Sequence, residues 1–245
     1  NTIDVDAATT RNIAVANLPG ANSQSVAEAA LMLMLATLRR LPQLDRATRE
    51  GRGWPADPEL GDTIRDLSSC TVGLVGFGNV AKRVEQTLRQ LGTEVLHTST
   101  TRDENNVSWV SFNELLQKSD ILSLHLPLTA ATRGMIGEAE LAKMKPGAIL
   151  VNTARGEIVD ETALVAALGN GQLAAAGLDV FAQEPVSSDN PLLALDNVIL
   201  SPHVSWYTAD TMERYLTGAI RNCRRLADGK SPYCVVNQTS DQAAT

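Results

Sequence analysis

Thr71-Val72-Gly73-Leu74-Val75-Gly76-Phe77-Gly78-Asn79-Val80-Ala81 decides the fold: a short apolar run enters a Gly-x-Gly-x-x-Ala turn, and a helical pattern follows at once. A strand that turns on glycines into a helix is the arrangement that holds a dinucleotide's pyrophosphate. Gly76 allows the tight turn, Gly78 removes a side chain that would block the phosphates, and Ala81 is small enough for the helix to lie close on its strand. The helix N-terminus then offers unpaired N–H groups to the anion. Behind the turn, Val80, Val84, Leu88 and Leu91 fall at helical spacing, Gly92 sits where a helix ends, and Glu94–Thr98 reads as a second strand. The segment is therefore a βαβ unit, and Gly76, Phe77, Gly78, Asn79 and Val80 are candidate cofactor contacts. Glycine-rich turns also serve packing and other nucleotides, so the rest of the chain has to decide between these uses.

An acidic residue about 20 positions past such a turn usually accepts hydrogen bonds from the ribose hydroxyls of NAD. Here that place holds Ser99-Thr100-Thr101-Arg102. A carboxylate repels a 2′-phosphate, whereas hydroxyls and a guanidinium bind it. Ser99, Thr100 and Arg102 thus predict a preference for NADP(H), with NAD(H) the alternative if Asp103 or Glu104 reaches the ribose.

The 245 residues carry a formal net charge of −7 and are 44% hydrophobic, an ordinary globular composition without the basic footprint of a nucleic-acid binder. Cys70, Cys223 and Cys234 are an odd number without metal or redox spacing, which predicts reduced thiols and a cytoplasmic protein. The most apolar segment, Val26–Leu38, is too short to span a membrane and runs into Arg39-Arg40. No secretory signal pattern begins the chain, so neither a membrane nor a nucleic acid is an expected partner.

Residues 1–20 read as the end of a domain rather than its start, and the chain is expected to begin mid-fold. Ser25 with Glu28 three positions later makes a capping-box pattern for a helix over Val26–Arg40 that is apolar on nearly every face and suited to an interface. A Gly-, Pro- and charge-rich loop spans Gly51–Asp66. Beyond the first βαβ unit, strands at Ile121–Leu126, Ala148–Val151, Leu173–Gly177 and Val198–Leu200 alternate with helices at Glu138–Met144 and Glu161–Leu168. Such alternation predicts an α/β fold with a doubly wound parallel sheet. A last helix covers 207–228, and the tail Ser231–Thr245 has little periodicity.

Three strand ends carry reactive side chains. Asn152-Thr153-Ala154-Arg155-Gly156 places an arginine at a strand's carboxyl end, where ligands bind in open α/β sheets. Gly177-Leu178-Asp179-Val180-Phe181-Ala182-Gln183-Glu184-Pro185 puts two acids at another, and Ser201-Pro202-His203 ends a third. His97 and His125 lie in or beside predicted strands and read as packed side chains. There is no His/Cys cluster suited to a metal and no serine nucleophile elbow.

Together with Asn17-x-Pro19-Gly20, Ser25-Val26-Ala27-Glu28, Pro127-Leu128-Thr129 with Thr132, and Met144-Lys145-Pro146-Gly147, these motifs resemble the D-isomer-specific 2-hydroxyacid dehydrogenases over almost the whole chain. The resemblance implies a Rossmann cofactor domain over 21–205, joined to a second, flavodoxin-like substrate domain. Of that domain only a remnant, residues 1–20, and a returning helix and tail, 206–245, are expected. It implies Arg155, Glu184 and His203 as the catalytic set, and cofactor contacts at Leu126, Pro127, Thr132, Thr153, Ala154 and Asp179. A 2-ketoacid or D-2-hydroxy acid is the implied substrate, with Arg155 on its carboxylate, His203 exchanging the C2 oxygen's proton and Glu184 holding the imidazole. A homodimer joined through the cofactor domain is implied as well. Pro202-His203-x-x-Trp206-Tyr207 resembles the subset containing the C-terminal-binding-protein corepressors, so Trp206 is expected to line the substrate pocket. That likeness leaves a second reading open, a cofactor-sensing scaffold with weak or no dehydrogenase activity. The family's Gly-containing carboxylate-binding loop would lie before Asn1, so the sequence reads as either a piece of a longer enzyme or a short member whose catalysis is in question.

Overall fold

The computed structural model describes residues 3–52, 63–101 and 107–237. They form two compact units, one of Ser23–Ser205 and one of Asn1–Asn22 with Trp206–Thr245.

The larger unit is a six-stranded parallel sheet in the order β2-β1-β3-β4-β5-β6, made of β1 (Thr71–Val75), β2 (Glu94–Thr98), β3 (Ile121–Leu124), β4 (Ala148–Asn152), β5 (Leu173–Leu178) and β6 (Val198–Leu200). Alternation of side chains along each strand sorts them into two cores. Val72, Leu74, Val95, Ile121, Ile149 and Val151 face one side, and Val75, Leu96, Leu122, Leu124, Ala148 and Leu150 face the other. Because both faces are covered, the strands read as continuous apolar runs rather than as alternating ones. On the first side lie α2 (Ser23–Leu38) and α4 (Asn79–Gln90); on the second lie α5 (Phe112–Lys118), α6 (Glu138–Lys143) and α7 (Glu161–Gly169). The strand order reverses at β1, so the crevice of the doubly wound sheet opens between the carboxyl ends of β1 and β3.

Three differences from the sequence expectation have physical causes. The helix expected over Val26–Arg40 is α2, which begins at Ser23. Ser25 therefore sits inside its first turn and is buried, so it does not cap, while Glu28 accepts from Gln24 at 2.7 Å. Ala27, Ala30, Leu33 and Met34 of α2 pack on the sheet, while Met32 and Leu35 are exposed. Two helices not expected in this unit are present: α3 (Leu41–Arg49), with a proline in its first turn, and α5, capped by Ser111 on the Glu114 N–H at 3.3 Å.

Packing explains two glycines in the strands. A Cβ at Gly73 would lie 2.0 Å from Ser119 Oγ, and one at Gly177 would lie 2.9 Å from Leu33 Cβ. The sheet is thus glycine where a helix lies closest to it.

The smaller unit contains α1 (Val5–Thr10), capped by Asp4, and α8 (Ala209–Ala227), capped by Thr208. Ala16 and Val235 form an antiparallel bridge, and Asn237 bonds the Val15 N–H, Thr9 Oγ1 and the Ile13 carbonyl at 2.7–2.9 Å. The Tyr233 ring carries the guanidinium of Arg225 4.0 Å and that of Arg221 4.9 Å from its centroid. The first part of the aperiodic tail is therefore held in place, and residues beyond Asn237 lie outside the described ones. Leu216, Ile220 and Leu226 on α8 are exposed. No helix among the described residues is long and apolar enough to cross a membrane.

His125, just past β3, is half-buried as a residue, but its imidazole is desolvated and bonded to Ser123 Oγ at 2.9 Å. Burial penalises the charged ring and lowers its pKa from 6.5 to about 4. Protonation then favours the unfolded chain: the penalty is absent above the unfolded value, grows as pH falls, and is complete below the folded one. At ~1.36 kcal/mol per pH unit the loss is on the order of 3 kcal/mol. Urea unfolding at about pH 7 and about pH 4 should show the wild type losing more stability than His125→Gln by roughly this amount; equal losses would show that His125 does not contribute the pH dependence.

Candidate active site

The glycine turn is set by contacts on one side and by open space on the other. Gly76 has φ +89°, donates to Thr98 O at 2.9 Å, and leaves no room for a Cβ, which would stand 2.4 Å from the His125 carbonyl oxygen and 3.2 Å from Leu126 Cβ. Gly78 differs: its φ of −86° suits any residue, and a Cβ there would meet no protein atom within 4 Å. Nothing in the packing of the described residues requires glycine at 78. Gly78 is also the N-cap of α4 without a side-chain cap, so the N–H groups of the first turn, at Asn79 and Val80, are left for an outside acceptor. This clear space in front of an uncapped helix fits a cofactor's pyrophosphate.

At the end of β2, Ser99 Oγ donates to Thr101 O at 2.7 Å and Thr100 is exposed. Arg102 lies outside the described residues. Past β3, Leu126 packs on the core, and Thr132 Oγ1 accepts from the Thr129 N–H and donates to the Pro127 carbonyl, both at 2.8 Å. Thr132 thus shapes the Pro127 loop, a job that the sequence reading did not give it.

The Arg155 loop is built by Asn152. Its buried amide accepts from the Ala154 N–H and donates to the Arg155 carbonyl, both at 2.9 Å, folding the chain back at the end of β4. Arg155 is exposed, with Nη1 on Ala154 O at 2.6 Å. Gly156 lets this loop touch the one after β5: a Cβ would fall 1.9 Å from the Phe181 carbonyl carbon. Thr153 Oγ1, buried at the same strand end, has no hydrogen-bond partner among the described residues. A buried hydroxyl left so is unusual in a folded protein and suits a group supplied from outside.

Asp179, 1% exposed, organises the His203 loop. Its carboxylate accepts from Ser201 Oγ and from the Val204 and Ser205 N–H groups, both at 3.0 Å, while its carbonyl accepts from the His203 N–H at 2.7 Å. The sequence reading gave Asp179 only to the cofactor; the structure gives its carboxylate three donors from this loop. His203 itself has φ +55°, a left-handed conformation unusual for a residue with a Cβ. Its Nδ1 lies 2.6 Å from Glu184 Oε2, and Glu184 Oε1 accepts from the Phe181 N–H at 3.1 Å. Glu184 is therefore fixed by backbone and in turn fixes the ring. Trp206 belongs to the smaller unit, where it meets Tyr207 edge-on at 5.3 Å and Tyr215 at 6.3 Å.

Asn152, Gly156 and Phe181 are the functional positions that the sequence reading passed over as such. Asn152 and Gly156 flank the arginine in the quoted motif, but their partners come from hydrogen bonds and a loop contact visible only in three dimensions. Among the described residues no group of three or more His, Cys, Asp or Glu is placed to hold a metal ion.

Residues 31–205 match the family described as D-isomer specific 2-hydroxyacid dehydrogenase, NAD binding domain. The chain is 41% identical over 244 residues to a glyoxylate reductase of Korarchaeum cryptofilum (strain OPF8), covering 96% of this chain and 73% of that relative. Among solved structures it is similar to a D-lactate dehydrogenase with NAD+ from Lactobacillus jensenii, at 31% identity and a TM-score of 0.86 over 97% of this chain and 76% of that one. It is likewise similar to an acyclic imino acid reductase (Bsp5) in complex with NADPH and D-Arg, at 33% identity and a TM-score of 0.86 over 96% and 75% of the two chains.

Because the clash at Gly156 is with backbone, no rotamer change relieves it. Gly156→Ala should lower unfolding stability by about 3 kcal/mol or displace the Arg155 loop, and overpacked cores lose stability on this scale. Urea titration and turnover check this together; a variant matching the wild type in both would mean that the two loops part freely.

Proposed function

Since the chain belongs to the D-isomer-specific 2-hydroxyacid dehydrogenase family, we propose that it interconverts a 2-ketoacid and a D-2-hydroxy acid with NADP(H) as the preferred nicotinamide cofactor. The coarse activity, a nicotinamide-dependent dehydrogenase or reductase of 2-hydroxy acids, follows from the family. The observation that carries the proposal for the residues is the Glu184–His203 pair at 2.6 Å, set at the strand ends beside the Arg155 loop.

The cofactor, when bound, supplies the hydride chemistry. The chain's own residues do the rest. The turn at Gly76, Phe77, Gly78, Asn79 and Val80 would hold its pyrophosphate, with Leu126, Pro127, Thr132, Thr153, Ala154 and Asp179 along the same crevice. Arg155, exposed and permanently charged, binds the substrate carboxylate and draws on the C2 oxygen. His203 gives that oxygen a proton in reduction and takes it back in oxidation. Glu184 accepts from Nδ1–H, which leaves Nε2 as the nitrogen that handles the proton.

Support for NADP(H) over NAD(H) is chemical. The described end of β2 offers the hydroxyls of Ser99 and Thr100 with no carboxylate, and Arg102 follows in sequence. The similar imino acid reductase is seen with NADPH, while the similar D-lactate dehydrogenase is seen with NAD+. Trp206 is read as a contact for the substrate side chain, and residues 1–20 and 206–245 as part of the substrate domain. The exposed Met32 and Leu35 on α2 support a homodimer joined through the larger unit; a Leu35→Glu variant that sediments like the wild type would remove that support.

Oxidation of NADPH and of NADH should be followed with glyoxylate, hydroxypyruvate and a bulky apolar ketoacid. Faster turnover with NADPH is expected. Tight cofactor binding with no turnover on any ketoacid would instead favour a cofactor-sensing scaffold. His203→Ala should leave cofactor affinity nearly unchanged and lower turnover by roughly 10²–10⁴-fold; undiminished turnover would end its role as the proton carrier.

A further inference from the structure

We propose that Phe77 and His97 are positioning residues for the adenosine half of the cofactor, a reading that rests on the cofactor site described above. Phe77 is the variable residue inside the Gly-x-Gly turn, and His97 is the penultimate residue of β2. Their rings are stacked, with centroids 3.6 Å apart and planes 10° from parallel. Neither the turn motif nor the strand pattern requires this contact.

The stack joins the two elements that must read one ligand together. The turn faces the pyrophosphate, while the segment after β2, from Ser99 onward, faces the ribose. The Gly76 N–H also joins them, donating to Thr98 O at 2.9 Å. His97 is a firm anchor. It is 1% exposed, and its backbone both donates to Ser108 O at 2.8 Å and accepts from the Val110 N–H at 2.9 Å. Phe77, by contrast, is only half-buried, and its neighbour Gly78 has open space around it. A turn with two glycines has many conformations to lose when a ligand binds. Clamping the one side chain between them to a buried strand residue removes part of that loss before the ligand arrives. Lys82 in the first turn of α4 also places its Nζ 5.8 Å from the Phe77 centroid, within cation–π range. The same ring therefore holds a positive charge beside the turn, where an acidic residue would ordinarily suit a helix start better.

The test uses 2′-phospho-ADP-ribose and ADP-ribose, which carry the adenosine and pyrophosphate without the nicotinamide. Calorimetry on the full chain should show His97→Leu binding both about two- to thirteenfold more weakly, since an aromatic pair contributes ~0.5–1.5 kcal/mol beyond its buried area. His97→Phe, which keeps a flat ring, should restore most of the affinity, and Phe77→Leu should repeat the loss. Hydrogen exchange of the Gly76–Asn79 amides in the ligand-free protein should quicken in the Leu variants alone. A lower melting temperature with unchanged affinity and unchanged exchange would reduce the stack to core packing and overturn the proposal. Failure of the wild type itself to bind either nucleotide would overturn the cofactor reading and the positioning role with it.

Discussion

A carboxylate 1% exposed to solvent is unfavourable unless it is hydrogen-bonded, and Asp179 turns its three accepted bonds to holding the chain that carries His203. Its acceptors draw Ser201, Val204 and Ser205 inward while its main chain takes the His203 N–H. Donors on both sides of His203 enforce a left-handed backbone at a residue that would ordinarily avoid it, a strain on the order of 1 kcal/mol. The local unfavourable geometry persists because its surroundings over-determine it. Glu184 then sets the ring's orientation and is itself set by the Phe181 N–H, so the imidazole is fixed at both its backbone and its Nδ1.

From this point the rest of the strand-end cluster follows by contact. Phe181, whose N–H orients Glu184, is the residue whose carbonyl sits over Gly156. Gly156 follows Arg155, whose carbonyl is tied to Asn152 at the end of β4. The chain of dependence therefore runs from a buried acid just past β5 to the arginine loop after β4 through one glycine. Substituting a side chain anywhere along it moves something other than itself, and couplings of this kind are non-additive.

The strands were legible because a sheet covered on both faces leaves short, uninterrupted apolar runs, and the observed β2 and β6 coincide with the sequence reading. The short helices were less so. The seven residues of α5 give too little periodicity to weigh, although Ser111-x-x-Glu114 is a cap pattern that could have announced it. In α2 the same kind of pattern misled: the helix starts at Ser23, two residues before the serine that the pattern marked as its cap, and Ser23 and Ser25 are both buried. The catalytic candidates were recognisable as a set because their motifs are ordered along the chain. Their supports were not, since the roles of Asn152, Gly156 and Asp179 depend on which loops the fold brings into contact.

The glycines separate what the protein needs from what a ligand needs. At Gly73, Gly76, Gly156 and Gly177 a Cβ would strike the protein's own atoms, so folding alone accounts for the residue. At Gly78 neither conformation nor packing accounts for it, and glycine there weakens the helix start relative to a Ser, Thr, Asp or Asn cap. A residue that is locally unfavourable and structurally unnecessary points to something outside the chain. Thr153 makes the same point from the opposite direction, with a buried hydroxyl that no described residue satisfies. One residue leaves room and the other leaves a hydrogen bond unmade, and both lie at the carboxyl edge of the sheet where an α/β fold of this kind holds its cofactor.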